Sequence, residues 1–260
     1  MYQSDPPQSA KETLPTMYDL PSEFPEEPGL PDQFHIYQPR LLDETFQPST
    51  YSVNEILSAT DLNLYYDVEH SLWHKRPDWF AVVGVSRLYE EKDLRLSYVA
   101  WQERVSPLIV VELLSPATEK EDLGQSLREA NQPPTKWQVY EQILRIPYYV
   151  VFNRYNDELR VFILHGERYQ ELTVEAERSL WIPSLELGLG LWDGFYEGIK
   201  RRWLRWFDGE GNWVPTLVEQ REQERRIAQQ ERERAESEKQ RADRLAQKLQ
   251  ELGIDPNDFS

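Results

Sequence analysis

The sequence feature that most limits how this chain can fold is an apolar run, residues 107–116, that contains one glutamate, Glu112. The run reads PLIVVELLSP, and a continuous apolar stretch of this length bounded by proline is typical of a central strand covered on both faces. Glutamate is seldom buried without a partner, because removing its charge from water costs free energy. Glu112 therefore needs a cation, either an Arg or Lys side chain or a metal ion, unless it lies at the strand end and faces water.

Composition limits the classes of protein to which this chain can belong. Its 260 residues suffice for one large domain with extensions. The chain has no cysteine, which excludes disulfides, thiolate metal sites and cysteine nucleophiles and agrees with a reducing compartment. No apolar run approaches the roughly 18 residues of a membrane span, and the first residues lack an export signal, so we expect a cytoplasmic protein. A net charge of −17 argues against a broad basic surface, so DNA binding is expected to be weak or assisted by a partner.

Changes in composition divide the chain into five segments. The first is rich in proline and acidic residues, which predicts extended or poorly ordered chain without helices. A short glycine-containing linker separates the core from a long charged segment. The predicted segments are an N-terminal extension at 1–45, a core at 46–207, a linker at 208–216, a charged helix at 217–252 and a tail at 253–260.

The core alternates between strand-like and helix-like patterns. Apolar, β-rich runs predict strands, and the segment that follows two consecutive prolines predicts a helix. A strand, a helix and a strand in succession over 108–152 form a crossover unit, which implies a parallel pair within a mixed sheet. The expected fold class is therefore α/β, with a mixed sheet flanked by helices. Strands are predicted at 63–68, 79–85, 96–103, 108–114 and 148–152, a hairpin at 159–173, and helices at 52–57 and 135–144.

The region 180–207 is rich in tryptophan and leucine. Large aromatic side chains normally fill protein cores, and no pattern of charged partners accompanies them here. We therefore interpret these residues as packing that closes the core rather than as a surface on which bases stack.

The segment 217–252 consists almost entirely of Glu, Gln, Arg, Lys and Ala, without proline or glycine. This composition predicts one long helix that ends at Gly253. A seam at alternating four- and three-residue steps runs along it, but only its last turns, at Leu245, Leu249 and Leu252, are properly apolar. Two interpretations stay open: a coiled coil that joins copies of the chain into a homo-oligomer, and a single solvated helix supported by its own ion pairs.

Two carboxylates and one lysine are the candidates for chemistry. Asp78 precedes one predicted strand and Glu112 lies near the end of another, so a sheet that places these strands side by side brings the carboxylates together. Such a pair suits Mg²⁺, which keeps several waters and binds substrate phosphate besides one or two protein carboxylates. Lys136 opens the helix after the Glu112 strand and can point back over the strand end, where it would balance developing charge. Each residue alone has an ordinary explanation, since an aspartate after proline is typically a turn residue and a lysine in a first helical turn is typically solvated.

Four short motifs follow one another along the core. They are Arg76-Pro77-Asp78, then residues 111–116 (VELLSP), 136–140 (KWQVY) and 146–150 (IPYYV). In this combination the chain resembles the Uma family of restriction-endonuclease-like proteins, within the PD-(D/E)XK nuclease superfamily. The resemblance covers about residues 46–207, and a trailing helix is also familiar from the coiled-coil-bearing members of the family.

The resemblance implies a restriction-endonuclease-like fold and a site that hydrolyses DNA phosphodiester bonds with Mg²⁺ or Mn²⁺. Asp78 matches the acid of the proline-aspartate motif and Glu112 the second acid, which implies both as metal ligands and catalytic residues. The superfamily places its lysine two positions after the second acid, where this chain has Leu114. The family takes this lysine from the following helix instead, which implies Lys136 as the third catalytic residue, with Lys120 as a second candidate.

Two points stay open at the level of the sequence. The family has an additional acid on an early helix, and Glu26, Glu27 and Glu55 compete for that position. The alternative function is a non-catalytic interaction protein, in which a degenerate nuclease fold is a scaffold and the C-terminal helix binds partners. A Ser-His-Asp hydrolase is not supported, because no nucleophile-elbow motif appears and the four histidines lie in no recognisable nucleophile context.

Overall fold

The computed structural model of the protein describes residues 32–115, 119–126, 132–173 and 178–251. The chain divides into two compact units, of which the first ends at Val214 and the second begins at Pro215. This division falls within the segment predicted as a linker. Residues 1–31 of the predicted N-terminal extension, and the predicted tail, lie outside the described residues.

The first unit combines short helices with three sheets. In chain order its elements are α1 (Gln33–Thr45), a 3₁₀ turn (Val53–Glu55), β1 (Ile56–Thr60), β2 (Leu64–Tyr65), β3 (His74–Lys75), β4 (Trp79–Val83), β5 (Tyr98–Val99), α2 (Ala100–Glu103), β6 (Ile109–Leu113), α3 (Glu119–Asp122), α4 (Lys136–Gln138), a π-helical turn (Val139–Ile143), β7 (Tyr148–Asn153), β8 (Glu158–His165), β9 (Arg168–Leu172), β10 (Arg178–Ile182), β11 (Leu187–Tyr196) and β12 (Ile199–Phe207).

The main sheet has six strands in the order β1-β4-β6-β7-β8-β9. Neighbouring strands run antiparallel except β6 and β7, which pair in parallel from Ile109 opposite Tyr148 to Leu113 opposite Phe152. This pair confirms the predicted crossover and the predicted α/β class. Because the two strands are parallel, β6 and β7 finish at the same end of the sheet, which we call the Leu113 end.

The side chains of β6 alternate between the two faces of the main sheet, and both faces are covered. Ile109, Val111 and Leu113 belong to a buried cluster with α1 and the sheet of β10, β11 and β12. Val110 belongs to a second cluster, with the π-helical turn. Burial of such aliphatic side chains contributes roughly 1.5–3 kcal/mol each relative to exposure. The strand is therefore covered as its continuous apolar pattern predicts, and alternation places Glu112 on the Val110 face.

The Trp- and Leu-rich region forms an antiparallel sheet in the order β10-β11-β12. Trp203 and Trp206 are buried, and Trp203 stacks on Phe34 of α1 with ring centres 5.8 Å apart. Gln38 of α1 exchanges two hydrogen bonds of 2.8 Å with the backbone of Leu204. The prediction that this region closes the core is confirmed.

The prediction that residues up to 45 form no helix was wrong for α1. Asp32 caps this helix by accepting hydrogen bonds from the backbone N–H groups of Phe34 and His35, at 2.9 and 3.1 Å. Leu41 and Leu42 are fully buried in the core. Pro39 lies inside the helix, where it removes a backbone donor, so the helix is held by its buried face rather than by intrinsic propensity.

Two further predictions were wrong in part. The strand predicted at 96–103 is limited to β5, and its second half is helix α2, closed by an ion pair of 2.8 Å between Arg95 and Glu103. The helix predicted at 52–57 is only a 3₁₀ turn capped by Ser52. Ile56 and Leu57 instead enter β1, because pairing with β4 buries Leu57. At Ile56 and Leu57, pairing with a strand more than 20 residues away decides the structure.

The second unit contains α5 (Leu217–Glu251), which confirms the predicted long helix. Thr216 and Glu219 cap its start reciprocally: the Thr216 N–H donates to Glu219 at 2.7 Å, and the Glu219 N–H donates to Thr216 Oγ1 at 3.3 Å. Arg234 and Glu238 form an ion pair of 3.2 Å along the exposed surface of the helix. No helix in the described ranges combines the length and apolar character required to cross a bilayer.

Candidate active site

Strand pairing brings Asp78 to Glu112. β4 runs antiparallel to β6 with Trp79 opposite Val111, so Asp78, the residue before β4, lies at the Leu113 end beside Glu112. The Asp78 backbone N–H lies 3.4 Å from Glu112 Oε2, and Asp78 Oδ2 accepts a hydrogen bond of 2.6 Å from the Leu113 N–H. The two acids that the sequence predicts as a pair are therefore neighbours.

The Glu112 side chain is completely buried, with 0% exposure, and both of its oxygens are hydrogen-bonded. Oε1 accepts from the Tyr140 hydroxyl at 2.8 Å, and Oε2 accepts from Lys136 Nζ at 2.9 Å. Burial raises the pKa of the Glu112 carboxyl well above its usual range, and the neighbouring acids add to this shift while Lys136 opposes it. Glu112 thus has the cationic partner that its position in an apolar strand requires.

Lys136 is placed by the start of its helix. Thr135 caps α4 through a reciprocal pair of hydrogen bonds with Gln138, which fixes the first helical residue over the strand end. The side chain is 16% exposed, and Nζ lies 2.9 Å from both Glu112 Oε2 and Asp122 Oδ1. Burial alone would lower the pKa of the Lys136 ammonium, but the surrounding carboxylates raise it well above its usual value. The ammonium is therefore charged at neutral pH.

Asp122 is a member of this cluster that the sequence did not reveal. It ends α3, is 1% exposed, and pairs with Lys136 through Oδ1. Its other oxygen, Oδ2, has no hydrogen-bond donor within the described residues. In the sequence Asp122 is one of three acids between residues 119 and 122 in a polar loop, and only the tertiary structure distinguishes it from its exposed neighbour Glu119. We call Asp78, Glu112, Asp122 and Lys136 the carboxylate–lysine cluster.

His35 approaches the same strand end from α1. Its Nδ1 lies 2.9 Å from Asp32 Oδ1, and its Nε2 lies 3.1 Å from the backbone oxygen of Leu113. Both partners only accept hydrogen bonds, so the doubly protonated imidazolium satisfies both contacts. Burial alone would lower the pKa of His35, but the hydrogen bond to Asp32 and the charge of Asp78 raise it. No local pattern in the sequence marks His35 for this position.

The other candidates from the sequence lie elsewhere. Glu55 precedes β1, whose first residue Ile56 pairs with Val83 at the opposite end of the main sheet, so Glu55 is remote from the cluster. Lys120 is exposed on α3. Glu26 and Glu27 lie outside the described residues. Among the lysines proposed from sequence, the structure brings Lys136 to the two acids.

Residues 15–196 match the family model Uma2, whose description is "Putative restriction endonuclease". The chain belongs to the Uma2 family. This match confirms the resemblance found in the sequence and extends it toward the N-terminus, since it begins before α1. The search of curated proteins finds no match. A solved structure with some similarity is that of a putative nuclease belonging to DUF820 from Anabaena variabilis, at 10% sequence identity and a TM-score of 0.38, covering 61% of this chain and 77% of that chain.

In this Uma2 protein the carboxylate–lysine cluster has more negative than positive charge. Three carboxylates face one ammonium, so two negative charges are unbalanced if every group ionises. Burial also raises the pKa of the Asp78 carboxyl, and the charge of Asp122 adds to this shift while Lys136 and His35 oppose it. A divalent cation would balance these charges.

The donor set fits a hard cation that needs few protein ligands. Within the described ranges, no three acidic or histidine side chains are arranged around one metal position. Asp78 and Glu112 are the available pair, and Mg²⁺ uses one or two carboxylates while keeping several waters. The Asp122 oxygen without a donor is a further buried acceptor in the cluster. The residues present therefore fit Mg²⁺ or Mn²⁺ and do not form a dedicated protein cage.

Proposed function

We propose that the protein is a magnesium-dependent endonuclease that hydrolyses phosphodiester bonds of DNA, with Mn²⁺ as a substitute ion. In this proposal Asp78 and Glu112 hold the ion, and Lys136 assists attack on the phosphodiester. The observation that carries the proposal is the 2.9 Å salt bridge of Lys136 to Glu112 beside Asp78, in a chain of the Uma2 family.

The raised pKa supports an electrostatic role for Lys136 and argues against its action as a base. An ammonium has three N–H donors, and Glu112 and Asp122 occupy two of them. The third donor has no acceptor among the residues that the structure describes, and in this proposal it binds a phosphoryl oxygen or the attacking water. Either contact would stabilise negative charge that develops in the transition state.

The two proposed ligands are held in place by neighbouring groups. The Tyr140 hydroxyl fixes Glu112 Oε1, and the Leu113 N–H fixes Asp78 Oδ2. Such contacts reduce the freedom of the carboxylates and so favour one coordination geometry. When bound, Mg²⁺ supplies Lewis-acid stabilisation of charge on a phosphoryl oxygen.

One observation favours the alternative, a non-catalytic scaffold on a degenerate nuclease fold. Glu112 has no exposed surface, and its oxygens are already bonded to Lys136 and Tyr140. A network of this kind also serves as a purely structural ion pair. The two functions differ in whether the cluster opens to admit a cation and DNA.

Nicking of supercoiled plasmid tests the proposal. The wild type is expected to nick the plasmid with Mg²⁺ or Mn²⁺, and EDTA is expected to abolish the activity. Glu112→Gln and Lys136→Met each remove one charge with a small change in shape. We expect either variant to lose roughly 100- to 1,000-fold in rate, the usual effect of deleting one group that stabilises the transition state.

Glu141→Gln and Lys120→Met are the matched controls. Glu141 is also a buried glutamate, held at 3.0 Å by Arg168, and Lys120 is exposed. Both controls should nick like the wild type. Metal-dependent nicking that survives in Glu112→Gln would reject the site. No nicking by any of the proteins would favour the scaffold.

A further inference from the structure

The Leu113 end also carries two arginines that lie next to one aromatic ring. Arg154 follows β7 directly, and Arg201 lies near the start of β12. The guanidinium carbon of Arg201 lies 4.2 Å from the centre of the Phe34 ring, and that of Arg154 lies 5.6 Å from it. Arg201 Nη2 also donates to the backbone oxygen of Arg154 at 3.2 Å. Two cations are thus fixed next to each other, and we call them the arginine pair.

A chain of contacts joins the arginine pair to the carboxylate–lysine cluster. Arg154 Nη1 lies 2.7 Å from Asp32 Oδ2, and Asp32 Oδ1 lies 2.9 Å from His35 Nδ1. His35 Nε2 lies 3.1 Å from the backbone oxygen of Leu113, whose N–H donates to Asp78. The arginine pair therefore lies at the same end of the main sheet as the proposed reaction centre, on the side covered by α1.

Arg201 has more N–H hydrogen-bond donors than it has acceptors among the described residues. Its Nε donates to the Arg202 backbone oxygen at 3.2 Å, and its Nη2 donates to Arg154. A guanidinium has five N–H donors, so three remain without an acceptor within the described ranges, where Arg201 also forms no salt bridge with a carboxylate. The residue is half-buried, and burial together with the charge of Arg154 lowers its pKa, while Asp157 and Asp32 act in the opposite direction. An anion bound here would accept hydrogen bonds from these remaining N–H donors of Arg201.

We propose that the arginine pair binds a phosphate of the DNA backbone next to the bond that is cleaved. This inference rests on the proposed function, since it takes DNA as the ligand. Stacking on Phe34 holds the face of the Arg201 guanidinium, so its donor-bearing edge can form the paired hydrogen bonds that match a phosphate. Phosphate contacts position a protein on DNA without reading sequence.

Local charge supports this assignment. The whole chain carries −17, yet the three cations Arg154, Arg201 and the imidazolium of His35 outnumber the two acids next to the arginine pair, Asp32 and Asp157. Phosphate binding by an acidic protein requires such a local excess of cations, because the long-range field of the molecule repels DNA. The arginine pair would hold the strand and leave the scissile phosphate to the carboxylate–lysine cluster.

Salt-dependent DNA binding tests the inference. Fluorescence anisotropy of a short labelled duplex is measured in EDTA over a series of salt concentrations, so that binding is separated from cleavage. Loss of one phosphate contact lowers the slope of log affinity against log salt by about 0.9. We expect this change in Arg201→Met. Arg201→Lys should keep the slope but bind more weakly, since lysine retains the charge without the planar fork.

Arg160→Met is the matched control, because Arg160 is a surface arginine held by Glu171 through two hydrogen bonds of 2.8 Å. It should bind like the wild type, and thermal unfolding confirms that each variant is folded. If Arg201→Met does not fold, the inference is tested with Arg201→Lys alone, which should bind the duplex more weakly than the wild type. An unchanged slope and affinity in the Arg201 variants, or no DNA binding by the wild type at low salt, would overturn the inference. Plasmid nicking with an unchanged slope would reject only the arginine pair, whereas a reduced slope without nicking would reject only the endonuclease.

Discussion

At the scale of single residues, Lys136 is the charge on which the cluster depends. Its ammonium is the cation that both Glu112 and Asp122 contact. Removing one partner of a buried ion pair costs about 3–5 kcal/mol, because it leaves uncompensated charge out of water. We therefore expect Lys136→Met to lower the free energy of unfolding by about this amount in urea denaturation.

A double variant separates charge balance from packing. Glu112→Gln combined with Lys136→Met removes an acid together with its cation, so it should be more stable than Lys136→Met alone while remaining inactive. Lys120→Met should change the free energy of unfolding by less than about 0.5 kcal/mol, as is usual for exposed positions. A Lys136→Met variant as stable as Lys120→Met would contradict the account of the network.

Residue by residue, the sequence reveals the members of the cluster that carry a local signal. Glu112 is a charge in an apolar strand, Asp78 follows a proline before a strand, and Lys136 begins a helix after a capping threonine. Asp122 and His35 have no such signal. Their positions depend on where α3 and α1 pack. The local pattern of apolar and polar residues does not predict how segments distant in the sequence pack together.

At the scale of elements, the cap of α4 determines where Lys136 lies. The Thr135 side chain accepts a hydrogen bond of 3.2 Å from the Gln138 N–H, and Gln138 Oε1 accepts one of 2.9 Å from the Thr135 N–H. Thr135→Ala is expected to cost about 1 kcal/mol of stability and to reduce plasmid nicking, because it frees the first helical turn. Chemical denaturation and the nicking rate measure the two effects.

Ser52→Ala is the matched control for this cap. Ser52 and Glu55 form the same reciprocal motif in the 3₁₀ turn before β1, at the end of the main sheet remote from the cluster. The control should lose stability without a change in nicking rate. Equal nicking by Thr135→Ala and Ser52→Ala would show that the cap does not position Lys136.

The contact between α1 and β4 should make stability depend on pH. Asp43 accepts a hydrogen bond of 2.7 Å from Trp79 Nε1, and partial loss of water around its carboxyl raises the pKa of that group, although the residue as a whole is exposed. A raised folded-state pKa gives stability that is fully present below the unfolded-state pKa and is lost as pH rises through the folded-state pKa. Asp43→Asn keeps an acceptor for Trp79 but cannot ionise.

Asp43→Asn should therefore become more stable relative to the wild type as pH rises from about 4 toward neutrality, where the carboxyl of the wild type ionises. Thermal unfolding over this pH range in EDTA measures the difference. A constant difference for Asp43→Asn would show that burial does not perturb Asp43.

The elements differ in how far the sequence determines them. Strands β4, β6 and β7 are recognisable because burial on both faces makes them continuously apolar. α1 is not recognisable, because its buried residues are interrupted by Pro39 and follow an acidic, proline-rich segment. The helix forms through contacts with β12, which lies far away in the chain.

At the scale of the whole molecule, self-association through α5 stays a prediction. Leu245, 54% exposed, lies on the seam, whereas Ile227, 49% exposed, lies off it. If α5 forms a coiled coil, light scattering will show an oligomer that Leu245→Glu converts to monomer and Ile227→Glu leaves intact. A monomeric wild type would instead establish the single solvated helix.

Every proposed step of the reaction requires the carboxylate–lysine cluster to bind a divalent cation. Titration calorimetry with Mn²⁺ measures this binding in the wild type, in Glu112→Gln and in the buried-acid control Glu141→Gln. We predict saturable heat from one site in the wild type and in Glu141→Gln, and none in Glu112→Gln. Equal heat in Glu112→Gln, or no heat in the wild type, would contradict the claim.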